Sequence, residues 1–212
     1  MLNLLKKDFI LLKWRLISYF LICIMLMVIL MINWGFLEMA PVILTTVLFC
    51  YYCLISLFER EGKYSADRLM IALPYKRNEI VYGKFLSPLI WVSVYYIIAI
   101  IIFAIIKIMN NGMISFKGIG IGIIICSTCI SVITPIFVKY DYVKATNFCM
   151  MIVMLTGVVY ALIIKFSNNL DWISKTILNY SSSKDVILSM FGVVFLALSV
   201  VMTKRIYLKK EF

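Results

Sequence analysis

The six cysteines are the residues whose type and spacing come closest to a recognisable chemistry. Cys50 and Cys53 form one C-x-x-C motif, and Cys126 and Cys129 form another. This spacing is typical of zinc sites and of redox-active dithiols. However, all the cysteines fall inside long apolar runs, the chain contains no histidine, and a thiolate in hydrocarbon is costly. We therefore expect free thiols that pack as small apolar side chains and bind no metal.

Motifs for nucleotide or ion chemistry are incomplete. Gly62-Lys63 is followed by Tyr64 and Gly83-Lys84 by Phe85, so neither completes the G-x-x-x-x-G-K-[ST] loop that holds nucleotide phosphates. The predicted spans contain no Asp, Glu, Lys, Arg or His, whereas ion-coupled carriers place such residues within the membrane. The same absence disfavours an intramembrane enzyme. A channel lined by backbone carbonyls stays open as an alternative, and we expect no cofactor in this chain.

The elements that carry these residues are membrane helices. Of the 212 residues, 64% are hydrophobic, and the mean hydropathy is +1.04. Uncharged apolar runs of about 20 residues indicate transmembrane helices. The net charge of +11 then indicates basic cytoplasmic loops and contact with anionic membrane lipids, and we expect no binding of nucleic acid.

The sequence predicts one all-α domain over residues 1–212 that crosses the membrane six times. A short amphipathic helix over residues 1–15 should lie on the membrane surface before the first span. Most of the 21 Lys and Arg residues fall on the side that holds both termini, which places the termini in the cytoplasm. The predicted spans are Leu16–Trp34, Met39–Phe58, Phe85–Ile106, Gly118–Val138, Ala145–Ile164 and Val186–Thr203.

Two features within the spans predict contacts. Gly118 and Gly122 form a GxxxG motif, which permits close helix approach. Pro88 is expected in the first turn of the third span and Pro135 near the end of the fourth, where proline costs little. Because the spans lack charge, we expect any molecule that enters between them to be held by apolar and aromatic contacts and by hydroxyls such as those of Ser93, Tyr95 and Tyr96.

The segment from Glu59 to Lys84 is the longest polar stretch between spans, and it carries six basic and four acidic residues. Tyr64 to Leu73 can form a short helix that Pro74 ends. A second helix should begin near Arg77 and continue into the third span. We interpret the segment as a coupling helix and corner on which a cytoplasmic protein pushes. The alternative interpretation is a solvated connector.

Part of this segment resembles a known family. The run Leu73-Pro74-Tyr75-Lys76-Arg77-Asn78-Glu79-Ile80-Val81-Tyr82-Gly83-Lys84-Phe85-Leu86 is similar to the LP-x-x-R-x-E-I-V-x-x-K-Y/F-L segment of ABC-2 type transporter permeases. The run Thr134-Pro135-Ile136-Phe137-Val138-Lys139-Tyr140-Asp141 resembles the end of that family's fourth span. Lys76 departs from the family pattern, which often has Ser or Thr there to cap the next helix. With the six spans, the resemblance covers nearly the whole chain.

The resemblance implies a permease subunit of a bacterial ABC exporter in the cytoplasmic membrane. Its implied partners are two cytoplasmic ABC ATPase subunits, which bind ATP and Mg, and a second permease, identical or related. In length and general sequence features the chain is similar to permeases that export phenol-soluble modulins, bacitracin or lantibiotics. An amphipathic peptide or lipid-like molecule is therefore the expected substrate. A non-transporting immunity or scaffold protein is the alternative.

We assign ATPase docking and coupling to the charged segment and assign a secondary contact to the loop after the fourth span. In this interpretation the chain has no catalytic, cofactor-binding or metal-binding residue of its own. The expected docking and coupling residues are Glu59, Arg60, Glu61, Tyr64, Asp67, Arg68, Leu69, Leu73, Pro74, Lys76, Arg77, Glu79, Lys139, Asp141 and Lys144.

Overall fold

The fold is a bundle of helices, seen here in a computed structural model that describes residues 2–33, 40–63, 77–109, 119–140, 142–151 and 182–209. Within these ranges the secondary structure is helical, as the all-α prediction required. We label the helices in chain order: α1 Leu2–Asn33, α2 Ala40–Lys63, α3 Arg77–Met109, α4 Ile119–Lys139, α5 over residues 142–151 and α6 Ser182–Lys209.

Five of the helices are long and apolar enough to cross a membrane, and they match five of the six predicted spans. Their membrane-length portions are Lys13–Ile32, Pro41–Glu59, Asn78–Met109, Ile119–Lys139 and Ser189–Leu208. The remaining predicted span, Ala145–Ile164, overlaps α5 at residues 145–151, and residues 152–164 lie outside the described part. The sixth crossing therefore stays a prediction.

The N-terminal region differs from the sequence expectation. Residues 1–15 were expected to form a separate surface helix, but α1 runs without a break from Leu2 to Asn33. Neither glycine nor proline occurs before Gly35, so nothing in the sequence interrupts the backbone hydrogen bonds. The early part of α1 also packs inward, because the Phe9 ring stacks on Trp91 of α3 with the ring centroids 4.7 Å apart.

Helix α2 occupies the centre of the described bundle, where it packs against α1, α3 and α4. Among the described helices, α4 and α6 have the most extensive contact with each other. A Cβ at Gly192 of α6 would meet the Ser127 hydroxyl and lie 3.2 Å from the Ile124 Cα of α4, so a larger residue here would require α4 and α6 to move slightly apart. The buried Ser199 hydroxyl of α6 donates to the Ser131 carbonyl of α4 over 2.6 Å, which ties the same two helices together.

The hydroxyl-bearing rings expected on a substrate path are packing groups. Tyr95 is fully buried, stacks on Phe49 with a centroid distance of 4.5 Å and meets Phe20 edge to face. The Tyr96 hydroxyl donates to the Ile119 carbonyl over 2.9 Å. Of the three residues only Ser93 is exposed. Both rings join helices within the chain in this conformation, and a role of their hydroxyls in holding a transported molecule stays a prediction.

The outer faces of three helices are apolar. Side chains that are more than half exposed follow one another along α1, α3 and α6, as helices surrounded by lipid or by another apolar surface require. This surface supports the prediction of an integral membrane protein in contact with lipid. Representative exposed residues are Leu21, Ile22, Met25, Ile29, Ile97, Ile101, Ile105, Phe191, Val194, Phe195 and Leu198.

Candidate coupling site

The predicted coupling segment is bracketed by two described helices. Helix α2 continues past its membrane-length portion to Lys63, and α3 begins at Arg77, which confirms the predicted helix start. Glu79 lies in the first turn of α3, where a carboxylate stabilises the positive end of the helix dipole. The segment therefore emerges from α2 and re-enters the bundle through α3.

The structure describes only some of the predicted docking residues. The side chains of Glu59, Glu79, Lys139 and Lys144 are described, whereas Arg60, Glu61 and Arg77 are described only as helical backbone. The short coupling helix, the proline corner and their contacts stay predictions, as does the contact of Asp141. The predicted residues that lie outside the described part are Tyr64, Asp67, Arg68, Leu69, Leu73, Pro74, Lys76 and Asp141.

Glu59 forms an ion pair within the chain. The Arg15 guanidinium of α1 donates to the Glu59 carboxylate of α2 over 2.8 Å. The side chains are 45% and 19% exposed, respectively. The carboxylate expected to face an ATPase is therefore already engaged by α1, and α1 is tied to the helix that leads into the coupling segment.

Lys84 is a buried lysine that the sequence interpretation missed. Its side chain is 8% exposed, and its Nζ lies 5.8 Å from the centroid of the Phe58 ring and 5.6 Å from that of Tyr207. Rings at such distances attract an ammonium through the negative faces of their π systems. The third predicted span, which contains no charged residue, begins at Phe85, whereas the membrane-length portion of α3 begins at Asn78 and includes Lys84.

An aromatic layer supports this lysine. The Phe58 ring of α2 stacks on Phe137 of α4 with centroids 4.6 Å apart and an angle of 1° between the planes. Phe137 in turn lies 6.0 Å from Tyr142 of α5, again centroid to centroid. Tyr207 of α6 is fully buried. Lys84 of α3 thus contacts rings of α2 and α6, and the ring of α2 stacks in turn on α4, at the base of the coupling segment.

The position of Pro88 is also different from the expectation. It lies inside α3, one turn after Lys84, because the helix begins at Arg77 rather than at Phe85. Proline has no N–H, so the Lys84 carbonyl lacks its usual intrahelical donor. Pro135, by contrast, lies near the end of α4 as expected. The coupling segment therefore enters the bundle through a helix that is weakened beside its buried lysine.

The exposed polar residues after α4 complete this end of the bundle. Lys139 is exposed, and its Nζ lies 5.2 Å from the centroid of Tyr140. Lys144 is exposed on the first turns of α5. The geometry is compatible with the secondary contact predicted for this loop, since both ammonium groups are open to a partner or to lipid headgroups.

The cysteines show no arrangement for metal binding. Cys50 and Cys126, from α2 and α4, are neighbours, so the two C-x-x-C motifs do face each other. Within the described ranges, no group of three or more Cys, Asp or Glu side chains is placed to hold a metal ion. The thiols are free and mostly buried, which agrees with a packing role.

A weak signal for the Lys84 site was present in the sequence. The lysine stands near the end of the quoted permease-like segment, and Phe58, Phe137 and Tyr207 each lie within a few residues of the C-terminal end of a predicted span. The site could not be identified while Lys84 was assigned to a loop. The predicted start of the third span at Phe85 placed the charge of Lys84 outside the bundle.

Comparison with known proteins gives one family match. A family model described as "ABC-2 family transporter protein" matches residues 3–208. Neither the curated proteins nor the solved structures contain a match. The matched range includes every described helix almost completely, together with the segment between α2 and α3.

Proposed function

The chain belongs to the ABC-2 transporter family, and from this premise we propose that it is the permease subunit of an ATP-driven exporter. The observation that carries the proposal is the length of the family match, which leaves only a few residues at either end outside it. In this proposal the energy comes from two ABC ATPase subunits, which bind ATP and Mg, and a second permease completes the complex. The bacterial cytoplasmic membrane is the proposed location.

We assign the docking of the ATPase to the segment between α2 and α3. The segment leaves and re-enters the bundle through helices, and a helix can transmit a push along its axis. Its mixed charges can pair across an interface and fix the register of the two proteins. Its apolar residues, Leu69 and Leu73 among them, can fill a groove on the partner. Lys139 and Lys144 are the proposed secondary contact.

We propose an amphipathic peptide or lipid-like molecule as substrate. The exposed faces of α1, α3 and α6 are apolar, and such surfaces stabilise apolar groups rather than small hydrophilic ions. The charged side chains near the ends of α3, Lys84 and Lys107, lie over aromatic rings of the same chain. Purified complex should hydrolyse ATP faster with an amphipathic helical peptide than with a small ion, and the reverse order would exclude this substrate class.

The docking proposal is tested with two variants of the coupling segment. Asp67→Lys combined with Arg68→Glu should leave membrane insertion normal but weaken co-purification of the ABC ATPase. Pro74→Ala should keep the ATPase bound and lower export per ATP hydrolysed, since the corner between the segment and α3 would soften. The control is Lys107→Met, at the opposite end of α3. If both variants bind and export like the parent, the segment is only a connector.

The proposal as a whole is tested by tagging the chain and purifying it from its own membranes. A permease should co-purify with an ABC ATPase, and vesicles that contain both proteins should transport the substrate only when ATP is present. An immunity or scaffold protein would show neither result.

A further inference from the structure

Lys84 closes the base of the coupling segment. The segment begins directly after Phe58 in α2 and ends at Lys84 in α3, two turns from the start of that helix. The Lys84 Nζ lies 5.8 Å from the centroid of Phe58, so the last residue of the segment contacts the residue that precedes the segment. A force applied to the segment therefore acts on α2 and α3 as a connected pair and not on two independent helices.

The same ammonium reaches a third helix. Its Nζ is 5.6 Å from the centroid of Tyr207, which is fully buried near the end of α6. In the sequence, Tyr207 stands more than a hundred residues from Lys84 and outside the predicted docking segment. The contact therefore extends from the segment to a helix that the segment does not enter.

The physical chemistry of lysine suits a contact that holds firmly but can be released. A buried ammonium is stable only with compensating neighbours, and two aromatic faces supply part of that compensation. The long, flexible stem of lysine can also carry the charge out to water at a membrane surface. Pro88 removes a helical hydrogen bond one turn away, so α3 can bend beside the contact.

We propose that Lys84 is a positioning residue that joins the coupling segment to α6, so that movement of the segment moves α6 together with α2 and α3. The proposal rests on the proposed function for its role in transport, whereas the contact itself can be tested in the permease alone. It assigns to Lys84 a role that differs from ATPase docking, because the side chain is buried rather than exposed to a partner.

The first experiment measures thermal unfolding of the purified permease in detergent. The variants are Lys84→Met, which removes the charge but keeps the length, Tyr207→Leu, and the two combined. If the groups act as a pair, the double variant should differ from the sum of the single shifts by about 2–4 °C. Strictly additive shifts would overturn the inference, whatever the ATPase does.

The second experiment measures molecules transported per ATP hydrolysed in the reconstituted complex. Lys84→Met should keep the ATPase bound but lower this ratio by about two- to thirtyfold, whereas Lys84→Arg should restore most of it. Lys107→Met is the matched control, since the Lys107 Nζ also lies over a ring, 5.9 Å from the Phe103 centroid, at the far end of the same helix. Its ratio should equal that of the parent.

The outcomes separate the two proposals. If the parent chain binds no ABC ATPase, the proposed function fails. The contact between Lys84 and Tyr207 is then tested only by the thermal unfolding of the single and double variants. If the parent transports and Lys84→Met transports with the same ratio, the positioning role is excluded. Equal losses in Lys84→Met and Lys107→Met would also exclude it, because the effect would then follow from any lost lysine on α3.

Discussion

The Arg15 guanidinium lies 2.8 Å from the Glu59 carboxylate, and this ion pair joins α1 to the part of α2 that leads into the coupling segment. The pair is partly open to solvent, and exposed ion pairs contribute only about 0–1 kcal/mol to stability. Its contribution to stability is therefore small, and it is one of several contacts that align α1 with α2, beside ring pairs such as Tyr19 with Tyr52.

Exchanging the two charges separates this alignment from ATPase docking. Arg15→Glu or Glu59→Arg alone should lower the thermal stability of the purified permease, by roughly 1 kcal/mol, because each places like charges together. The double exchange should restore it. We expect the double exchange still to weaken co-purification of the ATPase, since a partner that recognises Glu59 would then meet a cation.

Arg15→Lys is the control, because it keeps the sign of both charges. Normal ATPase binding by the double exchange would show that Glu59 serves only the contact with α1.

The order of five helices could be predicted from the sequence. Long apolar runs, interrupted by charged segments, predicted five spans that lie within the observed helices or overlap them, although α1 begins at Leu2 and α3 at Arg77, well before the predicted spans. These features follow from local composition and from the need of a membrane helix to satisfy its own backbone hydrogen bonds. They do not depend on which helices are neighbours.

The differences arose where the neighbours decide the outcome. Lys84 is the last residue of the predicted polar segment, and its burial beside Phe58 and Tyr207 of two other helices does not follow from the hydropathy of its own stretch. Tyr95 was assigned to a substrate path because it carries a hydroxyl, and in the structure Phe20 and Phe49 enclose its ring. Long-range side-chain contacts of this kind are not encoded in hydropathy.

Gly122 offers a test of helix packing. A Cβ at this position would lie 2.5 Å from the Tyr96 hydroxyl oxygen, so the glycine accommodates a ring of α3 rather than a helix backbone. Gly122→Ala should force the ring to move and break its hydrogen bond to the Ile119 carbonyl. We expect a loss of about 1–3 kcal/mol in stability, measured by thermal unfolding in detergent.

Two companion variants identify the cause of that loss. Tyr96→Phe removes the hydrogen bond but not the ring and should cost about 0.5–1.5 kcal/mol. Gly122→Ala combined with Tyr96→Val should cost less than the two single changes added together, since the smaller side chain leaves room for the new methyl group. Additive losses would mean that Gly122 and Tyr96 do not share the space that the structure gives them.

The cysteines should be free and metal-free. Cys50 and Cys53 are fully buried, so their thiols should react with a maleimide only after unfolding in SDS, whereas a Cys placed at the exposed Lys139 should react at once.

Elemental analysis of the purified protein should find no stoichiometric zinc. Replacing Cys50, Cys53, Cys126 and Cys129 together by Ser should leave assembly intact, because a helical Ser can bond to a preceding carbonyl, as Ser56 does to Cys53 over 3.0 Å. Zinc that is lost in this variant would contradict the packing role.

The orientation of the bundle can be tested at the two ends of the described helices. Lys139, at the end of α4, is exposed and should face the cytoplasm, since basic residues concentrate on that side. Met109 is 78% exposed and ends α3, whose 33 residues span about 50 Å, more than the hydrocarbon thickness of a bilayer. In a cysteine-free background, Met109→Cys should react with an impermeant maleimide added to intact cells. Lys139→Cys should react only after the membrane is made permeable. Labelling of Lys139→Cys in intact cells would invert the topology and place the coupling segment outside the cell, where no ATPase could reach it.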